Sequence, residues 1–171
     1  QELNKGARRP TDVPATKVKK LAVIGAGFMG ASIGYVSALA GISVVLIDRD
    51  QDSADKGKGH AKTMLDGMIA KGRMKQDKAD AILARITATP DYSAIKDCDL
   101  VIEAVFEDRK VKAETYAKAQ PLLREGAIFA SNTSTLPINS LAEEWKDQSK
   151  FIGIHFFSPV EKMMLVEIIV G

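Results

Sequence analysis

Residues 19–48 read KKLAVIGAGFMGASIGYVSALAGISVVLID, and this stretch decides the fold. The run from Lys19 to Ile24 is short, apolar and stopped by glycine, which predicts a strand. A helix is expected over residues 28–40, where Met29, Ile33, Val36 and Leu39 recur at helical spacing and Gly41 supplies the stop. The next run, SVVLID, is β-branched and ends at Asp48. So apolar a run predicts burial on both faces, as in a parallel sheet.

Between the first strand and the helix lies Gly25-Ala26-Gly27-Phe28-Met29-Gly30. Each glycine has a physical task. Gly25 permits the tight turn out of the strand, Gly27 lets backbone approach a pyrophosphate, and Gly30 lets the helix sit close on the sheet. Six residues alone are weak. The strand before, the helix after and an acid roughly twenty residues on make the pattern a dinucleotide cradle. A carboxylate at Asp48 accepts hydrogen bonds from the ribose of NAD and repels the 2′-phosphate of NADP. Arg49 pulls the other way, so the expectation is NAD with NADP as the alternative.

Working outward, helices are expected over residues 53–71, 77–83, 108–123 and 138–145, and strands over 85–88, 99–105, 127–131, 151–157 and 165–170. The alternation reads as right-handed crossovers in an α/β, Rossmann-like, doubly wound and mostly parallel sheet with helices on both faces. Residues 1–17, QELNKGARRPTDVPATK, have no usable periodicity and read as a tail or a linker from an upstream domain. The chain opens on Gln1, which is read as a piece cut from something longer.

Composition narrows the function classes. The 171 residues suit one domain. A net charge of +2, from 24 basic and 22 acidic residues, makes no case for a nucleic-acid surface. The single cysteine, Cys98, allows no intrachain disulfide and reads as an inert core thiol. No apolar run has the length of a membrane span, the basic N-terminal stretch with no apolar run after it does not read as a secretory signal, and no metal-ligand set is read.

Three polar clusters fall at expected C-terminal strand ends, where open α/β sheets bind ligands: Glu103 to Lys112, Ser131 to Thr135, and His155 to Pro159. Taking a proton from a hydroxyl needs a base, and His155 is the one credible candidate. His60 lies in a polar helix and reads as solvated. The ordinary alternative for His155 is a satisfied core histidine. Glu167 interrupts the apolar run LVEIIV, where a carboxylate is costly unless paired. If the last strand turns back along the one before it, Glu167 reaches the His155 ring and fixes its tautomer. The alternative is an edge glutamate facing water.

These stretches in this order resemble the 3-hydroxyacyl-CoA dehydrogenase family. The resemblance rests on IGAGFMG, the acid in VVLIDRD, EAVFEDRKVK, ASNTSTLP and GIHFFSPVEKMMLVEIIVG, and covers residues 18–171. It implies NAD-dependent oxidation of (S)-3-hydroxyacyl-CoA to 3-ketoacyl-CoA, with His155 as base, Glu167 as its partner and Ser134 on the substrate oxygen. It implies cofactor contacts from Gly25, Gly27, Met29, Gly30, Asp48, Val105, Glu107, Lys112, Ser134 and Ser158. Asparagine often stands in the family where this chain has Ser158, which weakens that contact. Lys71 is the candidate for a coenzyme A phosphate, against the reading of a solvated helix lysine.

The segment ELNKGARRP resembles the linker that joins an enoyl-CoA hydratase domain to the dehydrogenase in the multifunctional α-subunit of fatty acid β-oxidation. That implies a parent chain that is homo-oligomeric or complexed with a thiolase subunit. It implies a cytoplasmic location in a bacterium, or a mitochondrial or peroxisomal one in a eukaryote. The family's helical second domain is expected to be absent from these residues. A stand-alone 3-hydroxybutyryl-CoA dehydrogenase, a dehydrogenase of hydroxy or sugar acids, and a non-catalytic dinucleotide-binding protein are the competing readings. The HFFSP cluster argues against the second, and the joint presence of His155 and Glu167 against the third.

Overall fold

The computed structural model describes residues 16–163 and 165–170, together with Asp12 and Pro14. Most of the expected linker lies outside the described residues. In chain order the elements are β1 (Lys20–Ile24), α1 (Phe28–Leu39), β2 (Ser43–Ile47), α2 (Gln51–Ala70), α3 (Gln76–Ala84), β3 (Ile86–Thr89), β4 (Leu100–Glu103), α4 (Arg109–Ala119), β5 (Ile128–Ser131), α5 (Ile138–Ala142), β6 (Phe151–Phe156) and β7 (Val166–Ile169). They form one sheet in the order β3-β2-β1-β4-β5-β6-β7. All neighbours run parallel except β6 and β7, which are antiparallel. The chain reverses its direction of growth between β1 and β4, the crevice where such sheets take their ligands.

The alternation of a strand sends successive side chains to opposite faces, and both faces here are covered. Leu21, Val23, Val44 and Leu46 pack with Ile33, Ala61, Leu65 and Ile82 of α1, α2 and α3. Ala22, Ile24, Val45 and Ile47 face the other way, with Tyr116, Leu141 and Trp145. Beneath β5 and β6 the rings of Phe129 and Trp145 stack at 4.3 Å between centroids, and Tyr116 meets Phe129 edge-on at 5.3 Å. Cys98 is fully buried in this second layer, and burial pushes its thiol up to about 11. Among the described residues no helix is long and apolar enough to cross a membrane.

The expected stripe on α1 needs correction. Ile33 is buried, but Met29 and Val36 are half-buried and Leu39 is exposed. Burial instead follows Gly30, Ala31, Ser32, Ile33, Gly34, Tyr35 and Ala38. α1 is wedged between the sheet and α2, so its small residues pack closely on two sides.

Gly57 on α2 shows how tight that wedge is. A Cβ there would lie 2.7 Å from the Cβ of Ala26, 2.8 Å from its carbonyl oxygen and 2.9 Å from Leu46 Cδ2. Helix propensity would favour Gly57→Ala by about 1 kcal/mol. Pressing on backbone in a packed site costs about 1–3 kcal/mol and should win. Thermal unfolding of Gly57→Ala is expected at a lower temperature than wild type; an unchanged or raised midpoint would show that α2 moves away freely.

Candidate active site

The cradle is built at the C-terminal ends of β1 and β2. Gly25 has φ +101°, a conformation that side chains rarely adopt. Its N–H donates to the Ile47 carbonyl at 2.7 Å, tying the turn to β2. A Cβ on Gly30 would fall 1.7 Å from the Gly25 oxygen, so the helix can start this close to the turn only as glycine. A Cβ on Gly27 would enter open space.

The first turn of α1 has neither a side-chain cap nor an acidic residue. By contrast, α2 and α4 are capped by the carboxylates of Asp50 and Asp108. The first amides of α1 therefore keep their hydrogen-bonding capacity and the positive end of the helix dipole, which suits a pyrophosphate.

Asp48 follows β2 and is half-buried. Its Oδ2 accepts the Ala26 N–H and its Oδ1 the Arg49 N–H, both at 2.7 Å. The carboxylate is thus held beside the cradle. The Arg49 guanidinium pairs with Asp50 at 3.1 Å instead of turning to Asp48. A cleft of about 1010 Å³ opens here, lined by Gly25, Gly27, Phe28, Met29, Asp48 and Val105 among others. Tyr92 and the exposed Phe106 also line it, and neither stands out in the sequence.

Across the crevice, the loops after β4 and β5 are locked together by charge. Glu103 and Lys112 are fully buried and pair at 2.7 Å. Lys112 also reaches Glu107 at 3.4 Å. One oxygen of Glu107 accepts the Thr133 hydroxyl, the Ser134 N–H at 3.2 Å, the Thr135 N–H at 3.3 Å and the Thr135 hydroxyl at 3.2 Å. Burial acts to raise the Glu107 carboxyl. The Thr133 hydroxyl, the Lys112 ammonium and the Thr135 donors outweigh it and hold the group at about 2. With the folded value depressed, the stabilisation is present above the ordinary carboxylate range, near 4.5, and is lost as pH falls toward 2.

His155 and Glu167 are direct register partners on β6 and β7. Side chains directly opposite in an antiparallel pair share a face. His155 Nδ1 lies 3.1 Å from Glu167 Oε2. Among the described residues, no hydrogen bond engages Nε2. The Phe157 ring packs 4.5 Å from the imidazole, centroid to centroid. Asn132 joins the neighbouring loop to β6, accepting the Phe156 N–H at 3.1 Å.

The structure changes several of the expectations. Lys112, expected on the cofactor, has no exposed surface, and its ammonium is taken up by Glu103 and Glu107. His60 is not simply solvated: it is half-buried, with Nε2 3.2 Å from Ser32 Oγ and the Phe28 ring edge-on at 5.9 Å. Glu167 would be costly unpaired in a buried strand, yet β7 is exposed along its length. The pair forms because of register, not burial. Lys71 is exposed at the C-terminal end of α2, about 30 Å along the helix from the cradle end. Ser134, within the loop between β5 and α5, and Ser158, two residues past β6, are exposed. Glu103 enters the sequence reading only as the start of a cluster. An acid inside DLVIEAV with a lysine nine residues on is the signal that could have found the buried pair.

The model of the 3-hydroxyacyl-CoA dehydrogenase NAD-binding domain matches residues 20–171. Among solved structures, (S)-3-hydroxybutyryl-CoA dehydrogenase PaaH1 from Ralstonia eutropha is 35% identical with a TM-score of 0.87, over 91% of this chain and 55% of that one. FadB2 from M. tuberculosis is 34% identical with a TM-score of 0.85, over 90% and 54%. The dehydrogenase part of multifunctional enzyme 1 from C. elegans is 34% identical with a TM-score of 0.82, over 94% and 37%. The chain thus spans about half the length of the first two.

Proposed function

This chain belongs to the 3-hydroxyacyl-CoA dehydrogenase family as its NAD-binding domain, and we propose that it oxidises the 3-hydroxyl of an (S)-3-hydroxyacyl-CoA to the ketone. One observation carries the reading: a histidine–glutamate pair stands at the C-terminal edge of the same sheet that builds the NAD cradle. Bound NAD+ supplies the hydride acceptor. His155 Nε2 takes the hydroxyl proton. Glu167 holds Nδ1 protonated and favours the imidazolium that results. The Ser134 hydroxyl, on a loop fixed by Glu107, donates to the substrate oxygen.

The cofactor residues follow the same logic. The α1 amides and the close backbone of Gly25, Gly27, Met29 and Gly30 hold the pyrophosphate, and Asp48 the adenosine ribose. Val105, Glu107, Ser134 and Ser158 line the side toward His155, with Lys112 behind Glu107. The acyl cleft is completed by a further, helical domain, in keeping with relatives of nearly twice this length. Lys71 remains the candidate for a coenzyme A phosphate. A multifunctional parent chain draws support from the likeness to the dehydrogenase part of a multifunctional enzyme, while its β-oxidation role, upstream hydratase and thiolase partner rest on the resemblance of ELNKGARRP alone. The likeness to PaaH1 supports a stand-alone 3-hydroxybutyryl-CoA enzyme instead.

Two measurements test the proposal. With the longer chain that carries the helical domain, (S)-3-hydroxybutyryl-CoA should give NADH in the presence of NAD+ and the (R)-isomer should not, whereas residues 1–171 alone should bind NAD but turn the thioester over very poorly. Calorimetric titration should show NADH bound at least about tenfold more tightly than NADPH, because the Asp48 carboxylate meets the 2′-phosphate. Equal binding of the two would assign the choice to Arg49, and no turnover of the thioester by the longer chain would overturn the reading.

A further inference from the structure

Glu103 ends β4 with no exposed surface, so it cannot touch a substrate, yet it gathers donors from four residues. Its Oε1 accepts the Lys112 ammonium at 2.7 Å and the Val105 N–H at 2.9 Å. Its Oε2 accepts the Ser131 hydroxyl at 2.7 Å and the Tyr116 phenol at 3.2 Å. Donors on every side are what a carboxylate takes. Glu107 brings a second carboxylate to the same ammonium.

A lysine with Glu107 alone would be a neutral pair. Glu103 makes it a triad of two carboxylates and one ammonium, with one net negative charge. Among the described residues no other cation forms an ion pair with either carboxylate. The triad is largely out of water, so its charge acts over a longer range than a surface charge does.

Position gives that charge a use. Asp48, after β2, marks the adenosine side of the switch point, which leaves the nicotinamide to the β4–β5 side beside Glu107 and the Ser134 loop. The oxidised nicotinamide ring carries a positive charge that reduction removes. We propose that Glu103, through the ammonium it shares with Glu107, is a positioning residue that biases this site toward the oxidised cofactor. The inference rests on the reading of the site as an NAD-dependent dehydrogenase.

The test is calorimetric titration of NAD+ and NADH into wild type, Glu103→Gln, Glu107→Gln and Tyr116→Phe. Either glutamine removes one negative charge, and the ratio Kd(NAD+)/Kd(NADH) should rise about three- to tenfold in both. Any hydrogen bond that Glu107→Gln removes serves both cofactor forms alike and cancels in the ratio. Tyr116→Phe removes a hydrogen bond to Glu103 but keeps the charge, so its ratio should match wild type. A merely structural Glu103 would weaken NAD+ and NADH by the same factor, and that result would overturn the inference. Should Glu103→Gln fail to fold, comparison of Lys112→Met with the double variant Lys112→Met and Glu103→Leu isolates the same charge: the ratio should rise about three- to tenfold from the single to the double variant, and an equal ratio would overturn the inference. A wild type that bound neither form would overturn the dehydrogenase reading, and this inference with it.

Discussion

Replacing His155 with glutamine should lower kcat for NADH formation about a thousandfold while leaving the Kd for NAD+ unchanged. Glutamine keeps much of the volume and a hydrogen-bonding group but cannot accept a proton at neutral pH. The cradle of Gly25, Gly30 and Asp48 is built by β1, β2 and α1, far along the sheet order from β6, so binding is insulated from the change. Glu167→Gln should cost less, about ten- to a hundredfold. A fully buried triad acid is worth roughly ten-thousandfold when replaced by its amide. Glu167 is 52% exposed, so water can take over part of its task of holding Nδ1–H. A His155→Gln protein that kept a tenth of the wild-type kcat would remove His155 from the proton path.

The order of these two effects follows from β7. That strand pairs residue for residue with β6, and the pairing of His155 with Glu167 fixes which face both side chains share. The spacing of twelve residues is legible in the sequence, and so is the consequence of an antiparallel return. What sequence cannot supply is the exposure of β7. LVEIIV is as apolar as SVVLID, yet Ser43–Ile47 is flanked by two strands and Val166–Ile169 by one. A local pattern records what a strand would bury, and its place in the sheet decides what covers it.

The same distinction separates the other legible features from the hidden ones. β1, the glycine turn and α1 are legible because their signals are local: an apolar run, a turn that needs positive φ at Gly25, and a periodic helix stopped at Gly41, where φ is +94°. The buried side of α1 is not legible because it depends on α2, whose Gly57 lies against Ala26. His60 escapes the sequence for the same reason, since Ser32 and Phe28 come to it from α1. Lys112 is the clearest case. A lysine in RKVKAE reads as solvated or as a ligand contact. Only the arrival of Glu103 from β4 at the same place turns it inward.

That inward lysine carries the larger stability effect. Lys112→Met should destabilise the domain by about 3–5 kcal/mol, because it leaves the fully buried Glu103 carboxylate without its counter-charge. For a domain of this size the loss corresponds to a fall in unfolding temperature of about 6–20 °C. A surface ion pair of the same geometry would be worth about 1 kcal/mol at most, so the magnitude itself reports burial. The two remaining carboxylates also repel each other, and the loop from Thr133 to Thr135 hangs on one of them. Cofactor binding should therefore weaken along with stability, even though Lys112 reaches no open surface. The double variant Lys112→Met with Glu103→Leu separates the causes. Removing both charges leaves no orphan in the core, and replacement of a buried pair by apolar residues is often neutral. The double variant should recover most of the lost stability in urea unfolding, so its loss should fall well short of the sum of the two single losses. If the two losses simply add, the ion pair is not what holds this loop junction, and Lys112 stabilises the fold through the packing of its carbon chain alone.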